Sequence, residues 1–278
     1  MNQPLVGYSM TTFAQNAWMR SQSQGFLKLN DSAIINEHSA FHAGAISKLV
    51  TAIVTMQLVS ERLLQLDTPI DTLPVPGITV RHLLAHCSGL TDEFPQTPIA
   101  APGQQFHLAD VNYRILEQYI EYKTTRHFVD IVHEYVFERL AMTNSFYSIP
   151  STQTTAGHTK QLHIVTPTIS SPAVDGLWTS SYDLAKLCAA LIQNLHVESV
   201  LRIKRSLVKQ MFSPQFGFKW LGLGFYFEQD EATMLSTSSG YRAMLSIHLQ
   251  KESGYVAFSN CELSMLHFHE LIAKTIAC

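Results

Sequence analysis

Charge is scarce in this chain and nowhere gathers into a block of one sign. Charged residues make up 15% of its 278 positions, 22 acidic against 19 basic, for a formal charge of −3. That excludes a basic footprint for a nucleic-acid backbone and a polybasic patch for a membrane surface, and leaves small or neutral partners as the expectation. Cysteine is scarce too. Cys87, Cys188, Cys261 and Cys278 stand far apart with no C-x-x-C spacing, which fits free thiols in a reducing compartment better than a disulfide or zinc framework. No apolar run reaches the length of a membrane span, since even 49–59 is broken by Thr51, Thr55 and Gln57. The opening residues, Met1 to Tyr8, lack a positive leader followed by an apolar stretch, so a cytoplasmic location is expected. There is no internal repeat and no low-complexity linker.

What is present is apolar: 46% of the residues, enough for one large core or two closely packed subdomains. Aromatic and apolar residues at short spacing predict a hairpin over 6–14 and 17–29, punctuated by Gly25 and Asn30. Residues 45–63 are apolar nearly all round, as in a helix buried on most sides. Helical periodicity continues over 80–86, with Thr79 as N-cap and Gly89 as the stop, and over 109–122, 127–140 and 182–195, the last capped by Ser181. Beyond about residue 218 the pattern alternates, predicting strands over 221–228, 241–249 and 255–259 before a closing amphipathic helix over 263–276. The expected fold is α/β (α+β): an antiparallel sheet built from both chain ends and flanked by helices, with an inserted, mostly helical subdomain. The whole chain, 1–278, reads as one domain, with an α/β part near 1–65 and 200–278 and a helical part near 66–199.

The segment Phe41-His42-Ala43-Gly44-Ala45-Ile46-Ser47-Lys48 carries every part of a serine-hydrolase motif except the serine. In S-x-x-K a hydroxyl and an amine stand three residues apart and share one helix face, so Lys48 points at whatever residue 45 presents. Here that is the methyl group of Ala45. Three further stretches follow in order. They are Ile78-Thr79-Val80-Arg81-His82-Leu83-Leu84-Ala85-His86-Cys87-Ser88-Gly89-Leu90, then Pro102-Gly103-Gln104-Gln105-Phe106-His107-Leu108-Ala109-Asp110-Val111-Asn112-Tyr113, then Gly176-Leu177-Trp178-Thr179-Ser180-Ser181-Tyr182-Asp183-Leu184. Together the four stretches resemble the serine β-lactamase and penicillin-binding-protein superfamily, in particular its class C-like esterase and D,D-peptidase branch.

The departures from that pattern bear on function. The tyrosine that handles protons in the family aligns with Leu108, and its Asn/Asp position is Asp110. The [Lys/His]-[Thr/Ser]-Gly motif should fall just before Gly240, yet the chain there reads Met234-Leu235-Ser236-Thr237-Ser238-Ser239. The resemblance implies that Ala45, Lys48, Asp110 and His107 stand at the catalytic positions, and that Leu108, Ser236, Thr237, Ser238, Ser239 and Tyr241 line the substrate. It also implies an oxyanion hole from the N–H of Ala45 and a second one near Ser238 or Ser239. Ser47 is the hydroxyl nearest to the missing nucleophile, but it lies about 200° round the helix from residue 45 and reads as structural.

His82 and His86 have i, i+4 spacing without a third ligand, so no metal is expected, and no cofactor. His86 reads instead as the anchor of the turn at Gly89, and His267 and His269 form no constellation. The function expected from the resemblance is a serine acyl-hydrolase or acyltransferase acting on an ester, amide or thioester, with Ala45 as an inactivating Ser-to-Ala replacement. Its substrate is a small-molecule or carrier-bound acyl compound, in a biosynthetic setting, with neither nucleic acid nor membrane as partner. The alternative is a natural non-hydrolytic member: a binding protein, or an enzyme that uses the pocket without a covalent intermediate.

Overall fold

Both chain ends meet in one sheet. The computed structural model describes residues 5–15, 18–73, 75–93, 97–147 and 154–277. Ala17, where the second strand is expected to begin, Cys278 and the first four residues lie outside the described residues.

Strand β1 (Gly7–Ala14) pairs antiparallel with β2 (Met19–Gly25) on one side and, on the other, with a strand almost 250 residues away. The short strands β3 (Phe41–His42), β4 (Gly157–His158), β5 (Ile164–Val165) and β6 (Trp178–Thr179) form two small two-stranded pairings, β3 with β6 and β4 with β5. Strands β7 (Tyr226–Glu228), β8 (Glu231–Ser238), β9 (Tyr241–His248) and β10 (Ser253–Ser259) complete a six-stranded sheet in the order β2-β1-β10-β9-β8-β7. Two differences from expectation concern this sheet. The stretch 221–228 is strand only in its last three residues, and β8 was not among the strands expected from alternation. Its buried positions are Ala232, Met234 and Ser236, two small or polar and one flexible, so its inward face carries little hydrophobic signal.

The helices are α1 (Ser47–Ser60), α2 (Val80–Leu84), α3 (Val111–Thr124), α4 (Phe128–Val132), α5 (Pro172–Asp175), α6 (Ser181–Gln193), α7 (Arg205–Met211) and α8 (Met265–Ala277). Helix α1 is buried nearly all round, as its composition predicts. Most of its polar groups find partners: Thr55 Oγ1 donates to the Thr51 carbonyl at 2.7 Å, and Gln57 Nε2 donates to the carbonyls of Tyr135 and Leu201, while Gln57 Oε1 is left without one among the described residues. Helix α8 covers the opposite face of the sheet through Phe268 and Ile272, which pack with Met10 and Ala257.

Thr79 caps α2, and the His82 side chain completes a capping box. The helix ends at Leu84, short of the expected His86, because His86 itself adopts the left-handed region at φ 52°. The predicted helix over 127–140 is α4 continued by a π-helical turn, His133–Glu138. The cap of α6 is Ser180, whose Oγ accepts the Asp183 N–H, one residue earlier than predicted. Ser181 Oγ instead hydrogen-bonds Ser9 and Thr11 of β1 at 2.8 Å each, docking α6 on the sheet. Among the described residues no helix is long and apolar enough to cross a membrane.

Candidate active site

The site begins at a turn that favours glycine. Gly44 sits at φ +52°, and a Cβ there would lie 2.2 Å from Ser236 Oγ. The turn runs through a 3-10 segment, Gly44–Ile46, into α1. Ser47 Oγ donates to the Gly44 carbonyl at 2.6 Å and accepts the Leu177 N–H at 3.0 Å, which makes it the strut of the turn and not a substitute nucleophile. Ala45 is partly exposed at the front.

Alternation along β8 decides which of its residues face this turn. Ser236 is buried and its hydroxyl accepts the Ala45 N–H at 2.9 Å. The backbone donor expected to serve an oxyanion hole at residue 45 thus meets a side-chain hydroxyl here. Thr237 is exposed on the other face of the strand, and Ser239 is exposed in the turn that follows β8. Ser238 Oγ lies 3.0 Å from His42 Nδ1. Tyr241 is fully buried, and its hydroxyl donates to the Thr155 carbonyl at 2.7 Å.

Lys48 is buried, with 8% of its side chain exposed, and its Nζ lies 2.8 Å from Asp110 Oδ1. Asp110 is half-exposed at the start of α3. Asp92 fixes that helix start by accepting the N–H groups of Asp110 and Val111 at 2.8 and 2.7 Å. Burial alone would raise the Asp92 carboxyl; those two N–H groups and the Arg114 guanidinium hold it below the usual carboxylate range. Behind Lys48 a cavity of about 20 Å³ is lined by His86, Tyr113, Tyr226 and Met234, room for about one water. Met234 thus shares this cavity with the lysine, on the strand that leads to the position of the family's cationic third motif.

His86 is neutral. Burial first, and then the charge of Lys48, push its pKa down to about 3. Its Nδ1 lies 3.4 Å from the Ala109 N–H and 3.3 Å from Asn112 Nδ2, so it anchors the segment leading into α3 as well as the turn before Gly89. His82 caps α2 and stacks on Phe216 with ring centroids 4.8 Å apart. Among the described residues no group of three or more His, Cys, Asp or Glu side chains could hold a metal ion.

Of the remaining expected residues, His107 is half-buried and donates its backbone N–H to the His86 carbonyl at 2.9 Å. Leu108 is 58% exposed, an aliphatic side chain at the rim. The structure thus brings Ala45, Lys48, Asp110, Ser236 and Ser238 to one turn, and leaves Leu108, Thr237 and Ser239 outside it. His42 and Met234 were not among the expected site residues. Both stand beside the motif residues in the chain, but neither fills a position that the motifs name. As it stands the site offers a paired lysine, an occupied backbone donor and no hydroxyl at residue 45.

Comparison with known proteins gives the same architecture. A penicillin-binding protein from Bacillus halodurans superposes with a TM-score of 0.83 at 20% identity, over 96% of this chain and 95% of that one. D-alanine carboxypeptidase AmpC from Burkholderia cenocepacia gives 0.82 at 15%, over 96% and 91%. SurE gives 0.85 at 19%, over 97% of this chain and 71% of that one. These likenesses establish the α/β fold of the penicillin-binding proteins. The model of the Beta-lactamase family matches residues 6–273, nearly the whole length, and the chain belongs to that family.

Proposed function

We propose that this chain keeps the acyl-recognition architecture of its family but forms no seryl acyl-enzyme at residue 45, and that the pocket holds a small-molecule or carrier-bound acyl compound without covalent attack from that position. The observation that carries this reading is the Lys48–Asp110 ion pair opposite a methyl group. A lysine serving as base in acyl transfer faces a hydroxyl whose proton it takes. Here it faces a carboxylate at 2.8 Å, and drawing on its amine as a base means giving up that attraction in a largely buried setting. The hydroxyl of Ser236 on the Ala45 N–H supports the same reading, because the donor that would hold a developing oxyanion already has a partner.

A second reading, a serine hydrolase or acyltransferase inactivated at residue 45, keeps one observation of its own. Gly44, Ser47 and Lys48 hold the nucleophile turn in place, with the Ser47 strut intact. The two readings separate when the native chain, Ala45→Ser and Ala45→Ser/Lys48→Ala are incubated with activated esters, thioesters, a β-lactam and a fluorophosphonate, and adducts are located by peptide mass. No adduct at residue 45 in the serine variant, with the fold intact, is the expected result. An adduct at that residue that disappears with Lys48→Ala overturns the proposal in favour of the second reading.

A further inference from the structure

We propose that Ser238 and His42 form a second nucleophile–base pair, which cleaves esters whose apolar acyl group lies in the neighbouring groove walled by Trp178 and Tyr241. This goes beyond the reading of residue 45 and does not depend on it.

The pair is built from elements far apart in sequence. His42 ends β3, where it pairs with Trp178 of β6. The residue is 1% exposed, and its ring clusters with those of Trp178 and Tyr241, with centroids 5.3 and 5.8 Å away and those two 5.8 Å from each other. Ser238 closes β8, half-buried, with its Oγ 3.0 Å from His42 Nδ1. Its Cβ lies 3.4 Å from the point where Gly44 would carry one, so the hydroxyl stands at the turn that carries Ala45. A nucleophile needs a base within hydrogen-bond reach, and these two atoms meet that condition.

The state of the imidazole suits the role. Burial lowers the His42 pKa, which leaves a neutral ring able to accept a proton, while the backbone and the charge of Asp175 pull the other way and favour the imidazolium that forms in passing. His42 Nε2 is buried and, among the described residues, makes no hydrogen bond.

The groove supplies the substrate class. It has a volume of about 480 Å³, the size of sites that take small organic ligands, and Ile164, Val165, Pro167 and Ile169 line it opposite the two aromatic rings. Those same two rings pack against His42, so the groove and the pair share two walls. No charged side chain lines the groove. An apolar acyl group therefore fits the groove better than a polar or charged one.

The reaction closes without a further reagent. Ser238 Oγ adds to the ester carbonyl carbon as its proton passes to His42 Nδ1. The bond to the alcohol oxygen breaks, and the alcohol leaves with that proton. Water then adds to the acyl-serine, giving a proton to His42 that returns to Ser238 Oγ as the acid departs.

The test treats the full chain with a fluorophosphonate carrying an alkyl chain and maps the adduct by peptide mass, beside Ser238→Ala, His42→Gln and Ser238→Cys. The expected result is an adduct on Ser238, absent in Ser238→Ala and slowed about a hundredfold or more in His42→Gln. Hydrolysis of p-nitrophenyl esters follows the same order. Ile164→Arg, a change at an exposed groove position, raises KM for an octanoyl ester more than for an acetyl ester. Ser238→Cys with a maleimide reports whether the position can be reached. A native chain without an adduct overturns the proposal, whether the cysteine is modified (a reachable but unactivated hydroxyl) or not (an unreachable one). So does an adduct on any other residue. Because the proposal for residue 45 is read from an adduct at residue 45 in Ala45→Ser, the two can fail separately.

Discussion

Lys48 Nζ and Asp110 Oδ1 stand 2.8 Å apart, one side chain 8% exposed and the other 41%. That asymmetry sets the energetics of the site. The lysine depends on the carboxylate more than the reverse, because the aspartate retains much of its hydration while the lysine has given up nearly all of its own.

The pair predicts opposite outcomes for its two members. Asp110→Ala leaves a buried ammonium without its counter-charge and lowers stability by about 1–3 kcal/mol, below the range for fully buried pairs because solvent reaches this one. Lys48→Met removes the buried charge and places an apolar chain of similar length beside Tyr113 and Met234, which already line the cavity there. Its expected cost is smaller than that of Asp110→Ala. Urea unfolding of the two variants and the double mutant measures the difference, and Lys48→Met as the more damaging change contradicts it.

Gly44 faces two separable penalties. Gly44→Ala puts a side chain at φ +52°, at a cost of about 1–2 kcal/mol, and drives its Cβ onto Ser236 Oγ. In a Ser236→Gly background the contact is gone and the backbone cost remains. The double-mutant cycle should therefore show coupling, with Gly44→Ala milder in the glycine background.

His86 makes stability fall with acid. Its folded pKa of about 3 lies below the value for an unfolded histidine near 6.5, so below pH ~6 the unfolded chain binds a proton that the folded chain refuses. The contribution is complete above the unfolded value and is lost as pH falls toward the folded one. His86→Asn suits the left-handed backbone at φ 52° and cannot titrate. Between pH 6 and 4 the native chain should lose about 1.4 kcal/mol per pH unit more than this variant. His42 and His82, also lowered chiefly by burial, are present in both chains and cancel in the comparison. Parallel slopes in urea melts refute the assignment.

Two buried thiols should be silent. Burial pushes Cys188 up to about 12 and Cys87 to about 11, so neither presents a thiolate near neutral pH. Mass analysis after brief iodoacetamide treatment should find both unmodified in the folded chain and both alkylated in denaturant.

The helix that carries the site was legible because its signal is local. The apolar run of α1, the Thr79 cap and the order of the motifs all lie within short stretches of chain, where spacing alone places residues on a face. Strand β8 was harder to read, since its inward residues are an alanine, a methionine and a serine and give no apolar stripe. The block Ser236 to Ser239 was expected to act together, yet side chains alternate along a strand. Ser236 and Ser238 therefore turn to the site while Thr237 turns away, and Ser239 lies beyond the strand in the turn.

Residue identity alone shows what chemistry is missing and what is kept: no hydroxyl at residue 45, no phenol at residue 108, but a lysine one helical turn from the gap. Residue identity is a covalent fact and needs no fold to state it. Only the tertiary structure decided what the remaining groups do instead. The carboxylate on Lys48, the Ser236 hydroxyl on the Ala45 N–H and the Ser238 hydroxyl on His42 each join separate elements, the last two across 191 and 196 residues of chain. Such contacts follow from the register of β8 against the nucleophile turn, which the packing of the whole sheet sets and no local pattern encodes.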